Sequence, residues 1–212
     1  MRILELFSGT ESFSKVGRLL SFETLTLDNN PIFEPDVCKD ILRLGKRDLQ
    51  QFKDFNPDII WASPPCETFS VASISTHWTG GRGAYIPKTI KAQIGIDLVL
   101  KTIEIINGLK PKYWFIENPR GLLRKMSFMQ GFERYTVTYC QYGDNRMKPT
   151  DIWSNTKGLY FKPMCRNGDS CHQPAPRGSK TGTQGLKNNI KRSIVPKQLC
   201  EELLLGLGKR KY

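Results

Sequence analysis

The chain reads as an α/β protein built on a mostly parallel sheet with helices on both faces, followed by a short irregular basic segment. Three observations predict this. Apolar, strand-like runs alternate with segments of helical spacing through the first two thirds of the sequence. The groups with chemical potential fall directly after those runs, where ligands gather in parallel sheets. After about residue 155 the periodicity stops and Gly, Pro, Lys and Arg dominate. At 212 residues the chain has the length of one domain with at most a small appendage, and its composition is that of an ordinary globular protein.

The elements follow in order. "RILELF" (2–7) is a short apolar strand ending at "SGTES", and "SFSKVGRLLS" has helical spacing. The N-terminal run contains Glu5 and lacks a small-residue cleavage site, so it reads as a first buried strand rather than a signal peptide. That predicts a cytoplasmic protein, or a nuclear one in a host with a nucleus. "FETLTLD" (22–28) alternates and ends at Asp28; "GKRDLQQFKDF" is a surface helix; "PDIIWAS" (57–63) is a buried strand that stops on a proline pair. A long glycine-containing loop, roughly 67–90, leads into a largely buried helix, "KAQIGIDLVLKTIEIINGL", and then the strand "KYWFIENP" (112–119). The chain closes with a helix starting near Pro196. The expected units are 1–155, an irregular segment 156–192, and a C-terminal helix 193–212 returning to the first unit.

No apolar stretch approaches the length of a bilayer span. Net charge is +12, which fits a polyanionic partner, most simply nucleic acid. The six cysteines form no dense framework and read as reduced thiols. "CRNGDSCH" offers Cys165, Cys171 and His172 to a metal, with Cys140 or Cys200 available as a fourth ligand. The spacing matches no strong zinc pattern, and no metal is assigned.

Three motifs carry the chemistry. In "WASPPCETFS", Pro64 and Pro65 restrict the backbone before Cys66, a mounting suited to a nucleophile that must meet one atom at one angle. In "FIENP", Glu117 leaves an apolar strand beside Asn118, a setting for proton donation. In "LELFSGTESFS", a strand, a glycine turn and a helix start present backbone N–H groups to a cofactor, and Asp28 one strand later suits two ribose hydroxyls. Only Gly9 is present, so the dinucleotide fingerprint is missing. Singly, each motif also has an ordinary reading as a turn cysteine, a strand-end glutamate or a turn aspartate.

Together and in this order, "LFSGTESFSKVG", "SPPCETFS" and "FIENPRGLL" resemble the first, nucleophile and glutamate motifs of the DNA (cytosine-5)-methyltransferase family over about residues 2–155. "RSIVPKQL" is similar to its C-terminal motif, which folds back beside the cofactor. The resemblance implies a Rossmann-like S-adenosylmethionine-dependent methyltransferase fold, S-adenosyl-L-methionine as cofactor and double-stranded DNA as partner. It implies that Cys66 adds to C6 of a flipped cytosine, making C5 nucleophilic, while Glu117 engages N3 and the exocyclic amine. Phe7, Ser8, Gly9, Asp28, Asn29, Asp40, Ile41, Pro64 and Ser193 are the implied cofactor contacts, and Arg82 and Asn118 the implied substrate contacts. His77 and Trp78 are candidates to wedge into the gap left by the flipped base.

The departures are as informative. Glu67 stands where the family usually has glutamine, placing a carboxylate beside the nucleophile. "RMKPT" stands where the family has paired arginines, with Arg146 and Lys148 as the implied catalytic replacements. The segment 154–192 is far shorter than the usual target-recognition region, which implies a short or relaxed target site or a second subunit completing recognition. An RNA (tRNA) cytosine-5 methyltransferase and a catalytically degenerate DNA-binding module are the alternatives. Retention of both Cys66 and Glu117 speaks against the degenerate module.

Overall fold

In the computed structural model, which describes residues 1–81, 84–174 and 188–208, the expected alternation is present. The order is β1 (Arg2–Leu6), α1 (Ser12–Leu19), β2 (Glu23–Asp28), β3 (Val37–Cys38), α2 (Lys46–Phe55), β4 (Ile59–Ala62), α3 (Ile74–His77), β5 (Trp78–Gly81), β6 (Ala84–Pro87), α4 (Ile90–Leu109), β7 (Tyr113–Pro119), β8 (Glu133–Thr138), β9 (Pro149–Ser154), α5 (Asn189–Ser193) and α6 (Lys197–Gly208). Seven strands form one sheet in the order β3-β2-β1-β4-β7-β9-β8, and β5 and β6 form a separate hairpin. The first five strands of that order pair in parallel; β9 runs antiparallel to both β7 and β8.

The two-residue side-chain period of a strand divides the apolar residues into two cores. On one face Leu4, Leu6, Ile60, Ala62, Trp114 and Ile116 pack with Phe52 of α2 and Val99 and Ile105 of α4. On the other, Ile3, Ile59, Trp61 and Phe115 pack with Phe13 and Val16 of α1 and Leu199 and Leu203 of α6. Burial on both faces explains why β4 reads as a continuous apolar run rather than an alternation. The Phe13 ring stacks on Trp61 at 4.4 Å between centroids.

The strand pair β8–β9 lies beyond the elements read from the sequence. Arg124 clasps Asp151 of β9 through Nε at 2.8 Å and through Nη2, and Thr136 of β8 donates to the same carboxylate at 2.8 Å. Asp151 is fully buried, so this network holds the edge pair to the sheet by satisfying a carboxylate that water cannot reach. From Asn155 to Pro174 no helix or strand forms. No helix among the described residues is long and apolar enough to cross a membrane.

Candidate active site

The carboxyl ends of β1, β2 and β4 border a cleft of about 380 Å³, within the range of small-ligand sites. Phe7, Gly9, Asp28, Asn29, Asp40, Ile41 and Ser193 line it, together with Ser63, Pro65, Glu67 and Ile190. Two expected contacts are corrected. Pro65 rather than Pro64 faces the cleft, and Ser8 is buried between two lining residues with no protein partner for its Oγ.

The turn after β1 is strained where it meets this cleft. Phe7 adopts φ +56° and Glu11 φ +55°, conformations unusual for side chains of this size. Gly9 at φ +46° brings its N–H to Asp28 Oδ2 at 2.8 Å, and Asp28 Oδ1 accepts from Asn30 N at 2.9 Å. Glu5 accepts from Phe13 N at 3.3 Å and Ser14 N at 2.7 Å, so the start of α1 is capped from inside the core. The N–H groups expected to face a cofactor are thus consumed within the protein. A turn wired in this way suits an uncharged or zwitterionic ligand better than a diphosphate. Glu5 is 2% exposed, and its burial pushes its pKa up to about 7.

Cys66 and Glu117 sit at the ends of adjacent parallel strands, β4 and β7. Asn118 Nδ2 donates to Pro64 O at 2.8 Å, and Leu122 N donates to Phe69 O at 2.7 Å. Gly121 permits this approach: a Cβ there would lie 2.3 Å from Phe69 O. The two loops are therefore stitched on both sides of Cys66. Asn118 is wholly buried, which corrects its expected substrate contact: it holds the nucleophile loop instead.

Glu117 is 5% exposed and accepts from Tyr139 Oη at 2.8 Å. Lys148 Nζ lies 4.0 Å from Glu117 Oε1, 4.6 Å from the centre of the Tyr139 ring, and donates to Arg192 O at 3.2 Å. Burial pushes the Cys66 thiol up; Lys148 draws it down, Glu117 raises it and Arg192 lowers it. These opposing influences place Cys66, Glu117, Lys148 and Arg192 in one electrostatic environment.

Arg146, the other expected catalytic cation, is corrected. Its Nε donates to both Asp144 oxygens at 2.8 Å, and its Nη atoms donate to the carbonyls of Lys191 (3.0 Å), Arg192 (3.3 Å) and Ile194 (3.3 Å). Every edge of the guanidinium is occupied, so it clamps the C-terminal segment to the sheet. Val195 N adds a bond to Ser12 Oγ at 3.2 Å, and the clamp holds Ser193 and Ile190 against the cleft.

Glu67 forms an exposed ion pair with Lys91 at 2.9 Å, which balances the additional carboxylate beside the nucleophile. Trp78, read as a possible wedge, is 3% exposed; its Nε1 donates to Thr68 O at 2.7 Å and its ring packs on Phe69. It anchors the loop. His77 Nδ1 lies 2.8 Å from Thr89 Oγ1, closing the hairpin base. Arg82 lies outside the described residues. Glu5 and Tyr139 were not singled out from the sequence: the buried carboxylate at a strand centre was the available sign of the first, and Tyr139 carried none.

The comparisons show which family the chain resembles. The family profile described as C-5 cytosine-specific DNA methylase matches residues 1–133. A probable DNA (cytosine-5)-methyltransferase of Frog virus 3 (isolate Goorha) is 34% identical over 96% of this chain and 99% of its own length. The type II methyltransferase M.HindV of Haemophilus influenzae is 26% identical over 56% of this chain and 37% of its own. Among solved structures, Entamoeba histolytica methyltransferase EhMeth superposes with a TM-score of 0.51 at 15% identity, covering 77% of this chain and 56% of that one. A prophage-encoded DNA modification methyltransferase from E. coli gives 0.50 at 15% identity, covering 73% and 46%. These two share the fold, and this chain spans about half the length of each. The paired strand-end Cys66 and Glu117, the profile match and the viral relative agree: the chain belongs to the C-5 cytosine-specific DNA methylase family, enzymes that transfer a methyl group from S-adenosyl-L-methionine to C5 of cytosine.

Proposed function

We propose that this protein methylates C5 of a cytosine flipped out of double-stranded DNA, with Cys66 as nucleophile and Glu117 as the group that meets the base edge. The observation that carries this is the stitched pair of loops, which sets Cys66 and Glu117 at neighbouring strand ends beside the cleft.

The cleft fits S-adenosyl-L-methionine. Asp28 keeps acceptor capacity for two ribose hydroxyls beyond its two backbone bonds, and Phe7 and Ile41 supply apolar surface. Ser193, on the cleft wall, is a polar group available to the methionine carboxylate. When bound, the cofactor supplies an electrophilic methyl. Cys66 loses its proton and its sulfur adds to C6, which moves an electron pair towards C5. Lys148 and Arg192 favour the thiolate, while Glu117 hydrogen-bonds N3 and accepts from the exocyclic amine. C5 takes the methyl, leaving S-adenosyl-L-homocysteine as the second product; a base then removes the C5 proton, the pair of that bond re-forms the C5–C6 double bond, and the C6–S pair leaves on sulfur as the Cys66 thiolate. The short segment 155–192 carries cations for phosphate, which positions DNA without specifying sequence. A short target site, or recognition completed by a second subunit, follows from this reading.

The test is transfer of labelled methyl to duplex DNA and, in parallel, to tRNA, comparing wild type with Cys66→Ala and analysing digested nucleosides. The expected product is 5-methylcytosine in DNA, absent with the variant. Label confined to tRNA overturns the substrate assignment. Tight DNA binding without transfer to either overturns the catalytic one.

A further inference from the structure

The three thiols and one imidazole left unassigned by the sequence spacing converge in the fold. Cys140, Cys165, Cys171 and His172 place their ligand atoms within 4.8 Å of one another. Cys140 lies in the tight turn after β8; the other three come from the irregular basic segment. Cys171 Sγ lies 3.6 Å from Cys140 Sγ and 3.6 Å from His172 Nδ1, and Cys165 Sγ lies 3.8 Å from His172 Nδ1. A tetrahedral zinc with Zn–S of about 2.3 Å and Zn–N of about 2.1 Å has S···S edges of about 3.8 Å and S···N edges of about 3.6 Å. Three observed edges match that polyhedron. The fourth, Cys140 to Cys165, is 3.0 Å, longer than a disulfide bond of about 2.05 Å and opened to a zinc edge by a small side-chain rotation.

We propose that Cys140, Cys165, Cys171 and His172 bind one zinc ion, a closed structural site that fastens the basic segment to the catalytic domain. Three soft sulfurs with one imidazole select zinc over hard cations, and four protein ligands leave no position for water. The surroundings support the site. Gln141 Nε2 donates to Cys171 Sγ at 3.5 Å, Cys165 N donates to Thr138 Oγ1 at 3.0 Å, and Gln173 N donates to Asn145 O at 2.9 Å. Cys140 and Cys165 are both buried, and Cys165 lies in a stretch with no helix or strand of its own to hold it. Cys140 also follows Tyr139, whose hydroxyl holds Glu117, so the ion ties the basic segment to the turn that supports the base-edge carboxylate. The site is independent of which nucleic acid is the substrate.

The experiment measures metal in the full chain purified under reducing conditions, then replaces it with cobalt. One zinc per chain is expected, and the cobalt form should show the visible bands of tetrahedral coordination with thiolate charge transfer in the near ultraviolet. Cys171→Ser and His172→Ala should each lose the metal or shift the spectrum, whereas Cys38→Ser, at an exposed cysteine on β3, should retain both. The wild-type measurements stand even where a variant fails to fold. Metal-free wild type, an octahedral cobalt spectrum, a resting Cys140–Cys165 disulfide in intact mass, or an unchanged spectrum in folded Cys171→Ser would each overturn the assignment.

Discussion

Replacing Asn118 with alanine should slow chemistry far more than it weakens cofactor binding. The side chain is fully buried and its Nδ2 donates to Pro64 O, 54 residues away in sequence and two before the nucleophile. Alanine deletes the donor and leaves the Pro64 carbonyl unsatisfied in a place water reaches poorly. A buried group stranded in this way costs about 1–3 kcal/mol. Felt wholly at the nucleophile, that range corresponds to a loss of about 5- to 150-fold in rate. Asp28 ends β2 and Gly9 lies in the turn after β1, away from Asn118, so KM for the cofactor should hardly move. The assay is single-turnover methyl transfer beside the rate of covalent trapping by 5-fluorocytosine duplex DNA. A melting curve checks folding, with a fall of about 2–4 °C expected per kcal/mol in a protein of this size. A variant with lowered melting temperature but unchanged trapping rate would refute the argument, because the bond would then hold the fold without aiming the sulfur.

Two further outcomes follow from buried carboxylates. Folded Glu5 keeps its proton up to about pH 7 while the unfolded chain releases it near 4.5. Its stabilising contribution is therefore complete at low pH and is lost as pH rises through about 7, a difference of about 3 kcal/mol. Glu5→Gln should match wild type in urea unfolding at pH 4, below the unfolded value, and exceed it at pH 8; a variant weaker at pH 8 would show that the ionised carboxylate is held by the N–H groups of α1. Asp151→Asn removes the buried carboxylate that Arg124 and Thr136 bond and should cost about 1–3 kcal/mol, read as a lower urea midpoint with an unchanged slope. An unaltered midpoint would mean that the β8–β9 edge is held by its backbone ladder alone.

The parts of the fold legible in the sequence are those where one physical pattern dominates. β1, β4 and β7 are buried on both faces and announce themselves as apolar runs, and α4 follows from a long helical period. β8 and β9 were not read because neither is a clean apolar run: β8 carries Glu133, Arg134 and Thr136, and β9 mixes Thr150, Asp151 and Ser154 with apolar residues; the polar groups of Thr136 and Asp151 are satisfied by partners distant in sequence. The same distance hid the Arg146 clamp, whose acceptors are carbonyls 45 to 48 residues away. Trp78 looked available on a loop because nothing local reveals the Thr68 carbonyl and Phe69 ring that bury it. Cysteine spacing failed for a related reason. Cys140 stands 25 residues before Cys165, and only the antiparallel return of β9 and the basic segment joins them. Local motifs thus single out Cys66 and Glu117 as the proposed reacting groups, whereas long-range contacts decide what holds them.

The fold-back of the C-terminal segment also orders events during synthesis. α6 supplies Leu199, Cys200, Leu203, Leu204 and Leu207 to one hydrophobic core, and Ser193 and Ile190 form a wall of the cleft. A nascent chain that has emerged through Ser154 already contains every strand described, yet β1 has α1 over it and no α6 beside it. Arg146 is then waiting for the carbonyls of residues 191–194, and Val195 has not reached Ser12. The Cys66 loop can be stitched during elongation, but the cleft closes only after α6 has left the ribosome. An unfinished chain of this kind would hold its reactive thiol without a methyl donor beside it.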